Sequence, residues 1–368
     1  MELREETAPR REPRSLGGQS ELTSDSRRED NREPQVMLPW LLEALPHQGR
    51  ELVIKIANVR DIPARLRGSY FTIGNFDGVH LGHQRLIGRL SEKARAAGVP
   101  AIAVTFDPHP VALLRPEKVP VPLVWPEREV ELLESAGASD VGVFQTGEWL
   151  LGLSARAFYD QVIRSLFDAK GLVEGPNFAF GRDREGSVTN LAIWCGAEGV
   201  DFETVEPLLV DDRLVSSSRI RDCLNRGEAN EAAALLGRPH RIRGIVSHGA
   251  ARGRGLGFPT ANLDQVDTLI PLDGVYAALV RIEDEKRYWP VACNIGPNPT
   301  FGEQVRKIEA HLIGFHGDLY GRRVELDFLE RIRGTRRFEG LEDLLNRIQE
   351  DVDQAVRICE RFERDAAR

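Results

Sequence analysis

Thr72-Ile73-Gly74-Asn75-Phe76-Asp77-Gly78-Val79-His80-Leu81-Gly82-His83 sets a glycine-punctuated turn directly after a strand and puts two histidines at the mouth of a helix. The run from Ser69 to Ile73 reads as a buried strand, and the segment from His80 to about Ala97 reads as a helix. Glycines at 74, 78 and 82 let the backbone turn sharply and approach a ligand closely. Amides at a helix N-terminus and the helix dipole favour an anion there. His80 and His83 stand three residues apart, so on a helix they share one face and reach a common polyphosphate. A zinc reading of the same pair needs one or two further ligands, and none lies close by in the sequence.

Composition narrows the classes around this motif. The chain has 368 residues, 41% of them hydrophobic and 29% charged, which allows two domains with proper cores. No apolar run approaches the roughly 18 residues that span a bilayer, and residues 1–36 lack the apolar segment of a signal peptide. A net charge of −8 argues against a nucleic-acid partner, which demands a basic surface. The cysteines Cys195, Cys223, Cys293 and Cys359 form no C-x-x-C pair, so neither a zinc ribbon nor a disulfide framework is indicated and a cytoplasmic setting is expected. No lysine follows a G-x-x-x-x-G run, which excludes a P-loop.

Residues 1–36 alternate charges with Pro, Ser and Gly and read as a disordered tail. Foldable sequence begins right after Met37, the second and last methionine, so either translation starts there or the tail is a dispensable extension; a regulatory arm is the alternative. From Leu52 to about Leu209 strands (Ala101–Phe106, Val141–Phe144) alternate with helices (Pro126–Gly137, Ala155–Leu166), which implies a parallel sheet covered on both faces, with ligands at the carboxyl ends of the strands. Asp107-Pro108-His109-Pro110 presents His109 at such an end. One helix is expected from Ser218 to about Leu236, stopped by Gly237-Arg238-Pro239. Then the texture changes to short β-rich segments (Gly244–Ser247, Gly274–Ile282, Trp289–Ile295, Ile308–Phe315, Val324–Leu329), as in a small antiparallel barrel. A final amphipathic helix, about Leu341 to Phe362, is expected to bury Leu344, Leu345, Ile348, Val352, Val356, Ile358 and Cys359. These changes put the domain boundary near residues 237–242.

The second strong signal is Gly253-Arg254-Gly255-Leu256-Gly257-Phe258-Pro259-Thr260-Ala261-Asn262. Its glycines alone fit barrel turns equally well. Thr260 and Asn262, two residues apart on an extended segment, put two oxygen ligands on one side, a pattern suited to magnesium carrying a nucleotide.

Taken together, residues about 50–360 resemble the prokaryotic bifunctional riboflavin kinase/FAD synthetase family. Besides the two motifs quoted, the matches are Thr105-Phe106-Asp107-Pro108-His109-Pro110, Gly175-Pro176-Asn177-Phe178-Ala179-Phe180-Gly181, Ser216-Ser217-Ser218-Arg219-Ile220-Arg221, Gly274-Val275-Tyr276, Asn294-Ile295-Gly296-Pro297-Asn298-Pro299-Thr300-Phe301, Glu309-Ala310-His311-Leu312 and Asp318-Leu319-Tyr320-Gly321. The resemblance implies an N-terminal Rossmann-like nucleotidyltransferase domain (50–237) that adenylylates FMN to FAD. It implies a C-terminal six-stranded antiparallel barrel with a terminal helix (241–366) that phosphorylates riboflavin. By the same resemblance Gly74, Phe76, Asp77, Gly78, His109, Asn177, Ser216, Ser217 and Ser218 serve ATP or flavin in the first half, with His80, His83 and Arg219 acting on the phosphates. Gly253, Arg254, Gly257, Phe258 and Pro259 bind nucleotide or flavin in the second, Thr260 and Asn262 hold Mg2+, and Glu309 is the catalytic base. Asn177 also reads as a plain turn asparagine. Strand alternation puts Glu309 and His311 on one face and Ile308, Ala310 and Leu312 on the other.

The expected partners are ATP, riboflavin and FMN, with no nucleic acid and no membrane, in a monomer or weak homo-oligomer. The segment Ile332-Arg333-Gly334-Thr335-Arg336-Arg337-Phe338 departs from the family pattern, with Thr335 in place of a glutamate and Arg337 in place of a lysine. A chain in which only one half is active, or a flavin-binding sensor, are the competing readings; a sensor has no use for two ATP sites.

Overall fold

The computed structural model describes residues 53–58, 62–249, 252–297 and 305–367. The expected tail, Met37 and the stretch Asn298-Pro299-Thr300-Phe301 lie outside these residues, as does the side chain of Arg254.

Six parallel strands form the first sheet, in the order Val53–Ile56, Asp140–Gln145, Ala101–Asp107, Tyr70–Ile73, Gly171–Glu174, Asp201–Thr204. Tyr70–Ile73 is buried at all four positions and Ala101–Asp107 at its first five, as strands covered on both faces must be. The chain reverses direction across the sheet at Tyr70–Ile73, which has Ala101–Asp107 on one side and Gly171–Glu174 on the other. That is the switch point at which an open α/β sheet leaves a crevice.

The helix Leu81–Ala97 ends at Gly98 in the left-handed region and buries Ile87, Leu90 and Ala94. The expected helix Ala155–Leu166 is one α turn, Ala155–Phe158, continued as a π-helix over Tyr159–Leu166. The single helix expected from Ser218 to Leu236 is two, Ser217–Arg226 and Ala229–Leu236. Gly227 breaks it at φ +77°, with Arg331 Cδ only 2.7 Å from where a Cβ would stand.

The second half is a closed antiparallel barrel, in the order His240–Ser247, Ala261–Asp264, Lys307–Leu312, Tyr288–Gly296, Gly274–Ile282, Arg323–Arg333 and back to the first. The one strand not among the expected five, Ala261–Asp264, runs through the end of the Gly253–Asn262 motif, a stretch too short to show periodicity. The first strand begins at His240 rather than Gly244, because Arg241 is buried as an ion pair with Asp327 (Nε–Oδ1 2.7 Å) and so continues the strand with a charged residue inside. Alternation is clean along Lys307–Leu312, where Ile308, Ala310 and Leu312 enter the core.

The last helix, Leu341–Ala366, buries Leu344, Val352, Ile358 and Cys359 as expected, and also Ala355 and Asp351; Leu345, Ile348 and Val356 are only half-buried. Asp351 is tolerated inside because Arg333 donates three bonds to it, Nε to Oδ1 at 3.1 Å and to Oδ2 at 2.9 Å, and Nη2 to Oδ2 at 2.7 Å.

The helix Ala229–Leu236 serves both halves. Ala229 belongs to the barrel core, while Leu235 and Leu236 pack with Leu123, Val215, Ile220 and Leu224. Gly227→Ala should lower the unfolding free energy by at least about 1–2 kcal/mol, the cost of a left-handed backbone for a residue with a Cβ, before any displacement of Arg331. A urea transition coincident with the parent's would show that the break does not depend on glycine.

Candidate active sites

The crevice at the switch point is a cleft of about 290 Å3, lined in part by Gly74, Phe76, His80, His83, Glu174 and Asn177. His80 caps the helix Leu81–Ala97, its Nδ1 accepting from the amide of His83 at 3.3 Å. The two imidazoles stack with centroids 3.6 Å apart, and Phe76 meets the edge of His83 at 5.2 Å. Gly82 leaves room for this stack, since a Cβ there would lie 3.1 Å from His80 Cε1. Burial, with the charge of Arg238 nearby, pushes His80 down to about 4; burial, His80 and Arg238 hold His83 well below its ordinary value. Both rings are therefore neutral at pH 7. His83 Nδ1 is buried with no hydrogen-bond partner among the described residues.

Glu174 forms the floor of the cleft. Its carboxyl accepts from the amide of Ile73 at 2.9 Å and meets Thr72 Oγ1 at 3.3 Å. Burial holds it well above the usual carboxylate range, against the bonds from Ile73 and Thr72.

Asp77 points away from the cleft. Its Oδ1 accepts from the amides of Leu123 (2.8 Å) and Val124 (3.4 Å), and its Oδ2 pairs with Arg221. Ser217 Oγ donates to the Asp77 carbonyl at 2.8 Å, and Ser216 caps the helix Ser217–Arg226; Ser218 is exposed. Gly78, at φ +83°, passes 2.9 Å (Cβ position) from Leu123 Cδ1. Arg219 is buried, and its Nη1 donates to the carbonyls of Val210 and Arg213, both at 2.9 Å. These contacts hold the hairpin whose Leu214 lines the cleft. His109 caps the short helix Pro110–Leu114 through Nδ1, and burial lowers it against the opposing charge of Asp77. Asn177 is exposed at the rim. The structure thus gathers Gly74, Phe76, His80, His83 and Asn177 around one cleft and sets Asp77, Gly78, His109, Arg219 and the serines around it as supports.

On the barrel, Glu309 lies directly opposite Asn262 on one neighbouring strand and Asn294 on the other. Residues opposite one another share a face, so a carboxylate stands between two carboxamides on the outer surface while Ile308 and Ala310 fill the core. Asn262 leaves no space beside Gly249, whose Cβ would lie 2.1 Å from Nδ2. Gly253 is required by the carbonyl of Phe258, 2.2 Å from its Cβ position, and Gly257 has φ +87°. His311 Nδ1 lies 2.8 Å from the Pro259 carbonyl, and Phe258 meets its ring edge-on at 5.6 Å, tying the Gly253–Asn262 segment to the strand of Glu309. Thr260 is exposed at the start of this row.

The family model for riboflavin kinase matches residues 236–359, and that for FAD synthetase matches residues 62–219. Curated bifunctional riboflavin kinase/FMN adenylyltransferases of Pseudomonas fluorescens and Bacillus subtilis are 38% and 36% identical to this chain, each over 78% of it and 92% of the relative. The chain belongs to the bifunctional riboflavin kinase/FMN adenylyltransferase family. A solved structure from Streptococcus pneumoniae, described as a macrolide-efflux protein, superposes with a TM-score of 0.73 at 29% identity, over 82% of this chain and 98% of that one. Among the described residues no helix is long and apolar enough to cross a membrane. Family membership accounts for both halves of the architecture, the parallel sheet and the closed barrel.

Glu174 carries no sequence signal, since it takes its place through the tertiary fold. Asn294 was visible only as part of a longer motif, and its register opposite Glu309 is what singles it out.

His80, His83 and His240 share one linkage to pH. His240 is fully buried with Nε2 2.7 Å from the Leu269 carbonyl, and burial pushes it down to about 4. An unfolded imidazole titrates near 6.5, so the unfolded chain takes up protons first as pH falls. The stability these groups contribute is complete above about pH 6.5 and is lost as pH drops toward about 4. Thermal melts of the parent should fall more steeply across that window than those of a His80→Asn, His240→Gln double variant; parallel slopes would show that these imidazoles do not govern the acid limb.

Proposed function

We propose that the two reactions are divided between the halves: the barrel transfers the γ-phosphoryl group of ATP to riboflavin, and the α/β half adenylylates the resulting FMN. The chain's activities are riboflavin kinase and FMN adenylyltransferase. What supports the division is that the phosphate-handling groups fall into two sets on different sheets. One is the stacked histidine pair with the unpartnered His83 Nδ1; the other is the Asn262–Glu309–Asn294 row.

In the α/β half an FMN phosphate oxygen attacks the α-phosphorus of ATP, the α–β phosphoanhydride bond breaks, and pyrophosphate leaves. No protein nucleophile is needed, so the protein's work is alignment and charge stabilisation. The His83 ring, which lines the cleft, and the amides at the start of the helix Leu81–Ala97 are the groups set toward the phosphates. A polyphosphate seated there favours protonated rings, so the neutral pair gains its positive charge only when the anion arrives. Arg219 acts through the hairpin it holds, keeping Leu214 against the bound nucleotide. Asn177 closes the rim.

In the barrel half Glu309 accepts the proton of the ribityl 5′-hydroxyl as that oxygen attacks the γ-phosphorus, and ADP leaves. Thr260 and Asn262 offer a hydroxyl and a carboxamide oxygen, both hard neutral donors, which fit a magnesium ion whose charge is balanced by nucleotide phosphates rather than by a protein cage. When bound, the ion would screen the phosphate charge. Pro259, held through its carbonyl by His311, fixes the backbone that presents both donors. All four cysteines are free and buried, which accords with a reducing cytoplasm.

The test is a pair of substitutions read by separating riboflavin, FMN and FAD. Glu309→Gln keeps shape but cannot take a proton, and should lower kinase turnover about 100- to 10,000-fold with FMN adenylylation unchanged. His83→Ala should depress FAD formation from supplied FMN by at least about tenfold, roughly 1.4 kcal/mol of barrier, with FMN formation unchanged. Loss of both reactions in either variant, or of neither, would sink the division.

A further inference from the structure

Val79 adopts φ +36°, a conformation costly for a β-branched residue, immediately before His80. Its side chain is fully buried and its amide donates to the Phe76 carbonyl at 2.7 Å. Its own carbonyl accepts from two side chains, Gln84 Nε2 at 2.8 Å and Arg238 Nη1 at 3.1 Å. Arg238 Nη2 takes the preceding carbonyl, that of Gly78, at 2.6 Å.

The same two side chains also reach elsewhere. Gln84 Nε2 and Arg238 Nη1 both donate to the carbonyl of Leu236, at 2.9 and 3.1 Å. Leu236 is the last residue of the helix whose first residue, Ala229, fills the barrel core. Gly237 follows at φ +73°, and a Cβ there would lie 2.7 Å from Leu81 Cδ2, in the first turn of the histidine-bearing helix.

We propose that Arg238 and Gln84 are positioning residues for adenylyl transfer: they pin the strained Gly78–Val79 peptide, and with it His80 and His83, to the segment that leads into the barrel. A strained peptide persists only where its surroundings over-determine it. Here three side-chain bonds on two consecutive carbonyls do so, and two of them come from a guanidinium beyond the α/β fold itself. The segment between the helix Ala229–Leu236 and the first barrel strand thereby contributes a structural part to the α/β half's site without touching its substrate.

The inference rests on the reading that the histidine cleft carries adenylylation, so His83→Ala is run beside it. In the full-length chain, Arg238→Met removes the charge and all three carbonyl contacts, Arg238→Lys keeps the charge but cannot bridge Gly78 and Leu236 together, and Gln84→Met removes one amide at constant length. All three should raise KM for ATP in FAD formation by about tenfold or more while KM for FMN stays within about threefold, as expected when phosphate alignment alone is lost. Riboflavin kinase kcat and KM should stay within about twofold of the parent, and this also certifies folding. If Arg238→Met does not fold, Gln84→Met and Arg238→Lys decide. A parental KM for ATP in all folded variants, or parallel loss of both reactions, overturns the proposal. His83→Ala sparing FAD formation would instead overturn the site reading on which it rests.

Discussion

One carboxylate holds the first half together. Asp77 takes the amides of Leu123 and Val124 on one oxygen and the guanidinium of Arg221 on the other, while its carbonyl receives Ser217 Oγ. Three segments far apart in sequence thus meet at one residue of the phosphate turn. Burial pushes the Asp77 carboxyl above its ordinary value, while Arg221 and the two amides pull against that shift. An aspartate in a nucleotide motif invites a reading as a ligand; here its bonds build the wall against which ligand-facing groups are placed.

The sequence made legible whatever depended on local periodicity or chain chemistry. The turn at 74–83, the buried parallel strands, the switch from alternating helices to short strands near residue 240 and the terminal helix all follow from patterns of a few residues. Glu309 was placed on the correct face because strand alternation has period two, and its neighbours on the adjacent strands then follow from register.

What sequence left out depends on distant pairing. Arg241 and Asp327, or Arg333 and Asp351, are charges whose burial makes sense only once each partner is known. A buried pair looks, from either side alone, like a solvated face residue. Arg219 reads as a phosphate-binding cation, while its guanidinium is engaged by two backbone carbonyls. The break at Gly227 lies inside a stretch that reads as one helix, because the crowding by Arg331 at that glycine comes from a strand more than a hundred residues on.

The helix Ala229–Leu236 sends its first residue into one hydrophobic core and its last two into another. A displacement of this shared rod in the barrel core is therefore carried along its own length to the face that packs on Leu123, Val215, Ile220 and Leu224, so the packing of one half is felt in the other.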